Sequence, residues 1–300
     1  MKQSLTAFTE KIGVTLAENE PLSLHTTFRI GGPARFFAVP QTAEQTAALL
    51  DYARETGLRH TVIGNGSNLL VPDEGYDGLV IRMPEEEPVW HENQVTVGAG
   101  FSLARLAAQA AERGLGGLAF AQGIPGTVGG AVVMNAGAYG GEIADTLVES
   151  VCYTPEGIFR LTAGEHDFSY RHSVYSDQPQ RIVLGAVFRL VPTDRAQLAA
   201  EMADYALRRR EKQPLEYPSA GSTFKRPAGH FAGKLIEDAG LKGFAVGGAQ
   251  VSEKHAGFVI NAGDATAADI AALQDEVVRR VRERFGVTLE PEVKRLGNFR

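Results

Sequence analysis

A single cysteine among 300 residues, Cys152, excludes an internal disulfide. It sits in the apolar run Val151 to Tyr153, which reads as strand, so a small buried hydrophobe is a better description of it than a nucleophile. Long apolar runs are missing as well: none approaches the ~20 residues of a membrane helix. The opening MKQSLTAFTEKIGVTLAENEPL, interrupted by Glu10, Lys11, Glu18 and Glu20, has no unbroken apolar stretch of signal-peptide type. These features imply a cytoplasmic protein with no membrane insertion. Positive charge is in deficit, 30 Lys and Arg against 36 Asp and Glu for a net charge of -6. A nonspecific nucleic-acid binder needs the opposite balance, so no nucleic-acid partner is expected, and any anionic ligand must be held by local cations. No histidine has metal-ligand spacing, and neither repeats nor low-complexity tracts are visible.

What is there is ordinary globular composition, 44% hydrophobic and 22% charged, over a length that exceeds one typical domain of roughly 100 to 200 residues. Leu5, Phe8 and Ile12 recur at helical spacing. Arg35 to Val39 and His60 to Ile63 read as strands around a helix that Thr42 and Gln45 would cap. Strands are expected at Leu79 to Ile81 and Gln94 to Val97, then a helix from Ser102 to Glu112 ended by Gly114. The turn PEG between Val148 to Thr154 and Ile158 to Leu161 marks a hairpin, and Arg181 to Leu190 is a further strand. Pro192 closes the first domain. Next come a helix capped by Asp194 and the irregular KQPLEYPSAGS, read as an active-site loop. The remainder reads as a smaller α+β unit: a helix from Phe231 to Ala239 and strands near Ala249 to Val251 and Phe258 to Ile260. A long helix begins at Thr266 with Asp269 completing its cap and Ile270, Leu273, Val277, Val281 and Phe285 on one face, and a last strand spans Glu292 to Leu296.

Two glycine-rich segments carry the chemistry of the first half. GNGSNLL offers Gly64, Asn65, Gly66, Ser67 and Asn68 after a predicted strand, suited either to a tight turn or to amide and hydroxyl donors facing phosphate. It lacks the third glycine of the Rossmann fingerprint, and the residues after it are strand-like rather than helical, so a conventional dinucleotide fold is disfavoured. Between Gly100 and Gly141 lie eleven glycines, too irregular for a linker. Within them GIPGTVGGAVVMNAGAYG places Gly126, Gly129, Gly130 and Gly137 around what reads as a short apolar strand with Asn135 at its end. A glycine-rich crossing of two strands and a pyrophosphate held by backbone amides both fit that pattern.

Together with TTFRIGGPA, these segments resemble the FAD-binding domain of the vanillyl-alcohol-oxidase (PCMH) type as found in the UDP-N-acetylenolpyruvoylglucosamine reductases. The resemblance continues in order through FSYRHSVYS, AGSTFKRP, AQVSEKHAGFVIN and LEPEVKRLG, and so spans nearly the whole chain. It implies an α+β protein: an N-terminal segment over residues 1–25, a two-subdomain FAD-binding domain over 26–192 and a substrate-binding domain over 193–300. It implies hydride transfer from NADPH through FAD to the enolpyruvyl group of a sugar nucleotide, in peptidoglycan precursor synthesis. FAD contacts would come from residues 64–68 and from Gly123, Ile124, Pro125, Gly126, Gly129, Gly130, Asn135 and Gly137.

By the same resemblance Ser222 is the proton donor, Arg171 the catalytic arginine and Glu292 its acidic partner, with Glu290 the competing candidate. The bare residue types fit those roles: a planar guanidinium suits a carboxylate whose charge grows as hydride arrives, and a positioned hydroxyl can deliver the proton. An isolated serine in a turn or arginine on a loop would otherwise mean little. Lys212, Lys225 and Arg226 supply cations for a diphosphate and carboxylate, Lys212 matching a phosphate-binding lysine, while Gln250 and His255 are plausible sugar-nucleotide contacts. For His255 a satisfied, partly buried histidine is the competing description. Only nine residues separate Arg171 from Arg181, so the inserted tyrosine loop of the longer family branch is missing, and that role is not given to Tyr170 or Tyr175. Arg226 also stands where that branch has asparagine. The competing activity is an FAD-dependent oxidase or dehydrogenase of a sugar or alcohol, and beyond enzymes a noncatalytic nucleotide-binding module.

Overall fold

The computed structural model describes residues 4–297 and 299. The short-range expectations explain most of its elements. Ser102 Oγ accepts from the Arg105 N–H to open the helix Leu103–Glu112, and Thr42 does the same for Ala43–Thr56. The Gln45 carboxamide turns to the Gln41 N–H instead of completing a box with Thr42. Leu5–Ile12 is the expected short helix, and Leu147–Thr154 with Gly157–Thr162 the expected hairpin.

By its contacts the chain forms two compact units. The first comprises residues 1–18, 36–65 and 78–207, the second 19–35, 66–77 and 208–300. This division interleaves, where the sequence suggested contiguous blocks: residues 19–35 and 66–77 gather with the C-terminal third. The reason is visible in their apolar residues, since Phe28, Ile30 and Leu70 are buried in the same cluster as Ile236, Ile270 and Val277.

In the first unit an all-antiparallel five-stranded sheet runs in the order Gly157–Thr162, Leu147–Thr154, Ile182–Arg189, Gln94–Gly98, Val89–His91. A four-stranded sheet, Thr15–Pro21, Pro33–Val39, Tyr76–Arg82 and His60–Ile63, includes the parallel pair His60–Ile63 with Leu79–Arg82. Phe101, Leu106, Leu118 and Phe188 fill the core. Thr15–Pro21 escaped the sequence reading because TLAENEP is polar and largely exposed. One expectation is corrected: the apolar stretch between the clustered glycines is the short helix Val128–Val133, not a strand. Thr127 caps it by accepting from the Gly130 N–H, a contact over three residues that the run of small apolar residues concealed.

The second unit holds the antiparallel sheet Ser219–Ser222, Phe258–Asn261, Ala249–Val251, Ala245–Val246 with the helices Ala232–Asp238 and Ala267–Phe285. The stretch expected to be wholly irregular thus ends in a strand at Ser219–Ser222, and the last strand contracts to Lys294–Arg295. Ile270, Leu273, Val277 and Val281 are fully buried, each worth about 1.5–3 kcal/mol of transfer free energy, whereas Phe285 lies at the exposed end of the helix. Among the described residues no helix is long and apolar enough to cross a membrane.

Candidate active site

In the second unit the segments bearing Ser222 and Glu292 lie side by side. The Glu292 N–H donates to the Thr223 carbonyl at 2.8 Å and the Lys225 N–H to the Glu290 carbonyl at 2.9 Å, around the bridge between Phe224 and Pro291. Thr223 is the junction: fully buried, it also donates its N–H to the Gly257 carbonyl at 2.9 Å and accepts from the Val259 N–H on its hydroxyl. Ser222 pairs with Phe258, after a register shift at which Gly221 has φ +73°. Only glycine takes that left-handed backbone freely, and the resulting bulge leaves the Ser222 side chain exposed.

Glu292 is fixed from the other side too. Asn68 Nδ2 donates to its carbonyl at 3.1 Å, and the Lys294 N–H donates to the Asn68 carbonyl, extending into parallel pairing of Lys294–Arg295 with Leu69–Leu70. The end of GNGSNLL is therefore bonded to the end of LEPEVKR. Gly66 is held at φ +60°, with the His25 carbonyl 2.1 Å from where a Cβ would stand, so no larger residue fits there. The two glutamates differ in their contacts: the Glu290 carboxylate forms an ion pair with Lys225 at 2.5 Å and is 68% exposed, and the Glu292 backbone is bonded on both sides.

His255 lies beside the same strand. Its Nδ1 accepts from the Gly257 N–H at 3.1 Å, so the neutral ring carries its proton on Nε2. Burial lowers its pKa, and Lys242 and Lys212 push the same way, while a backbone hydrogen bond and Glu237 oppose. Lys254 Nζ donates to the Arg210 carbonyl at 2.7 Å, tying this turn to the end of the helix Arg195–Lys212. Gln250 Nε2 donates to the Gly243 carbonyl, and the Arg226 guanidinium lies 4.8 Å from the centre of the Phe231 ring.

In the first unit the two glycine-rich loops meet: Asn65 Nδ2 donates to the Pro125 carbonyl at 2.9 Å. Within that unit Gly64, Asn65 and residues 123–130 contain no carboxylate, and their donors are chiefly backbone amides, a set whose chemistry suits a diphosphate. Asn135, fully buried, has both ends of its amide in use, Nδ2 on the Ser169 carbonyl and Oδ1 on the Ala144 N–H. It joins the glycine-rich segment to the loop bearing Arg171.

That loop turns at Tyr170 and Arg171, between Ser169 and His172, which exchange both backbone hydrogen bonds at 3.2 Å. Arg171 has φ +56°, a conformation that costs a residue other than glycine on the order of 1–3 kcal/mol and persists only where the surroundings impose it. Its guanidinium donates to the Gly137 carbonyl at 2.9 Å and lies 5.1 Å from the Tyr170 ring centre.

Of the residues singled out in the sequence, Ser222, Glu292, Lys225 and His255 are gathered in the second unit, and Arg171, Asn135, Gly137 and Pro125 belong to the first. The structure adds supports the sequence did not single out: Thr223, and behind the arginine loop Ser150, His166 and Tyr175. Thr223 was findable from alternation, since it is the inward neighbour of an outward Ser222. His166 and Tyr175 lie 16 and 25 positions from Ser150, beyond the reach of a helical or strand period, and the three left no local signal. Among the described residues no cluster of three or more His, Cys, Asp or Glu could hold a metal.

Residues 34–162 match a family described as FAD binding domain, and residues 213–296 one described as UDP-N-acetylenolpyruvoylglucosamine reductase, C-terminal domain. The chain is 52% identical to the UDP-N-acetylenolpyruvoylglucosamine reductase of Agathobacter rectalis, with 95% of each protein covered. It is 49% identical to that of Lachnoclostridium phytofermentans, over 93% of the chain and 92% of the relative. The crystal structure of the Thermus caldophilus UDP-N-acetylenolpyruvylglucosamine reductase superposes with a TM-score of 0.80 at 37% identity, covering 95% of this chain and 99% of that one. The C-terminal match, which takes in Ser222 and Glu292, opposes the oxidase alternative.

Proposed function

This chain belongs to the UDP-N-acetylenolpyruvoylglucosamine reductase family, and we propose that it reduces the enolpyruvyl group of UDP-N-acetylglucosamine enolpyruvate to give UDP-N-acetylmuramate, with NADPH as reductant. FAD, when bound, supplies the hydride relay between NADPH and the vinyl ether carbon. Residues 64–68, 123–126, 129, 130 and 137 hold it, with Asn135 acting through the loop it fastens. In this reading residues 26–192 carry the flavin and 193–300 the sugar nucleotide.

The observation that carries the assignment is the pairing of the Ser222 and Glu292 segments through Thr223. Hydride addition at one vinyl carbon builds negative charge toward the carboxylate and leaves the neighbouring carbon needing a proton. Ser222, presented at the bulge, delivers that proton. Serine is a poor acid unaided, so the groups around it must stabilise the alkoxide or return a proton through water. Arg171 and Glu292 act on the enolpyruvyl carboxylate, the first as a planar cation matched to it, the second by hydrogen bonding or protonation. Lys212, Lys225, Arg226, Gln250 and His255 orient the sugar nucleotide, and His255 does so as an Nε2–H donor. The product feeds peptidoglycan precursors in the cytoplasm, and through them cell-wall biogenesis, cell shape, the cell cycle and division.

An anaerobic visible spectrum of the FAD-loaded protein tests this directly. Bleaching of the flavin by NADPH and return of its colour on adding UDP-N-acetylglucosamine enolpyruvate is the expected result. A flavin that bleaches and then stays reduced with that substrate refutes the assigned acceptor, and a protein that never retains FAD refutes the assignment at its base.

A further inference from the structure

A chain of buried polar groups lies behind the Arg171 loop, and the proposed chemistry does not use it. Ser150 and Cys152 share one face of the strand Leu147–Thr154, and Ser150 Oγ lies 2.7 Å from His166 Nε2 and 2.6 Å from the Tyr175 hydroxyl. Ser150 and His166 are fully buried and Tyr175 is 3% exposed. The protons can be assigned: His166 Nδ1 is 2.7 Å from the Thr162 carbonyl, which can only accept, so Nδ1 carries the proton. In the neutral ring Nε2 then accepts from the Ser150 hydroxyl, and Ser150 oxygen accepts from Tyr175.

His166 and Tyr175 bracket the loop that bears Arg171. The Val174 N–H donates to the His166 carbonyl at 2.7 Å and closes its base, while Ser173 Oγ donates to the Val133 carbonyl at 2.7 Å. Apolar anchoring is thin here: of residues 166–177 only Tyr175 is a buried hydrophobic residue, with Phe168 and Val174 packed partly against the core. Hydrogen bonds rather than packing therefore hold this loop, and it carries a non-glycine residue in a left-handed backbone conformation that must be imposed from outside.

We propose that the buried Ser150–His166–Tyr175 chain is a positioning device for Arg171, anchoring both ends of its loop so that the guanidinium meets the substrate carboxylate in a fixed orientation. Ser150, His166 and Tyr175 are positioning residues and touch no reactant. A misplacement of about 1 Å at a reacting group can cost as much as 10²-fold in rate, so loosening the anchor registers in chemistry before it registers in folding. The inference rests on the role given to Arg171 above.

The test compares Tyr175→Phe, Ser150→Ala and Arg171→Lys in the FAD-loaded protein, each half-reaction followed separately by anaerobic stopped flow. Tyr175→Phe keeps the ring and removes one bond, so it folds even if Ser150→Ala does not. The expected result is flavin reduction by NADPH near the wild-type rate, reoxidation by substrate slowed about tenfold, and no further slowing when either change is added to Arg171→Lys. Wild-type reoxidation in Tyr175→Phe while Arg171→Lys is slow would overturn the positioning role alone. Equal loss in both half-reactions, or effects that add to Arg171→Lys, would reduce the chain to general scaffolding and overturn it too. Wild-type reoxidation in Arg171→Lys would instead overturn the catalytic assignment beneath it.

Discussion

Two glutamates two positions apart, Glu290 and Glu292, show how little residue type alone decides. Glu290 has its carboxylate on Lys225 near the surface, where an exposed ion pair is worth only about 0.2–1 kcal/mol. Glu290→Gln is accordingly expected to leave both half-reactions close to wild type. Glu292→Gln keeps the backbone bonds to Thr223 and Asn68 but removes the charge, so it should slow substrate-driven flavin reoxidation while the denaturation midpoint holds. Rapid-scan spectra of the two variants, side by side, decide which glutamate acts; a slow Glu290→Gln with a normal Glu292→Gln reverses the assignment. Ser222→Ala removes the proposed proton donor, and because a general acid contributes typically 10² to 10⁴ in rate, reoxidation should fall by about that factor while reduction by NADPH survives. Equal loss in the two half-reactions would show that Ser222 is not the donor.

Elements in this protein are defined most sharply at their ends. The helix Ala267–Phe285 opens with a complete capping box: Thr266 Oγ1 accepts from the Asp269 N–H, and Asp269 accepts from the Thr266 N–H. The Asp73 carboxylate takes the Ala267 and Ala268 N–H groups at 2.9 and 3.2 Å. Thr266→Ala should cost about 1 kcal/mol, and Asp73→Ala a similar amount, read as lower urea midpoints at an unchanged slope. A change in slope would mean that the substitution alters the surface exposed on unfolding or that unfolding is no longer one transition. The box and the stopping Gly286 are legible in ATAAD and RFG; the contribution of Asp73 is not, because it arrives from 194 residues away. The helix Val128–Val133 is the opposite case: its apolar residues and glycines fit a short strand equally well, and no periodicity can develop over six residues.

For the whole molecule, acid is expected to act in two stages. Burial lowers the pKa of both His166 and His255. The unfolded chain then binds more protons than the folded one as pH falls through the ordinary histidine value of about 6.5, so stability declines from there down toward the lowered folded-state values. Hydrogen bonds lower the carboxyls of Asp269, Glu44 and Glu165, whose contribution is full above their ordinary values and is lost as pH falls through the folded ones. Urea midpoints measured against pH should therefore fall first near neutrality and again at strongly acid pH. His172, whose pKa the hydrogen bond to Asp177 raises, acts in the opposite sense over the same range, so it is a flat profile between pH 7 and 5 in His172→Asn that would show that the two imidazoles are not buried as neutral rings.

Residue order was enough to fix most of what depends on contacts of three or four residues, the helix capped by Thr127 excepted: the caps at Ser102, Thr42 and Thr266, the hairpin at the PEG turn, and the amphipathic stripe from Ile270 to Val281. It also carried the ordered motifs that mark the family. Only in the folded molecule is it settled that Asn68 and Glu292, 224 positions apart, are bonded, that Thr223 joins Ser222 to Glu292, and that Ser150, His166 and Tyr175 form one buried chain. The same holds for the grouping of residues 19–35 and 66–77 with the C-terminal third. The physical reason is that caps and periodicity are local free energies, the same wherever the segment goes. A long-range pairing takes its free energy from desolvating two distant segments together, and its partner is undefined until the rest of the chain has closed around it.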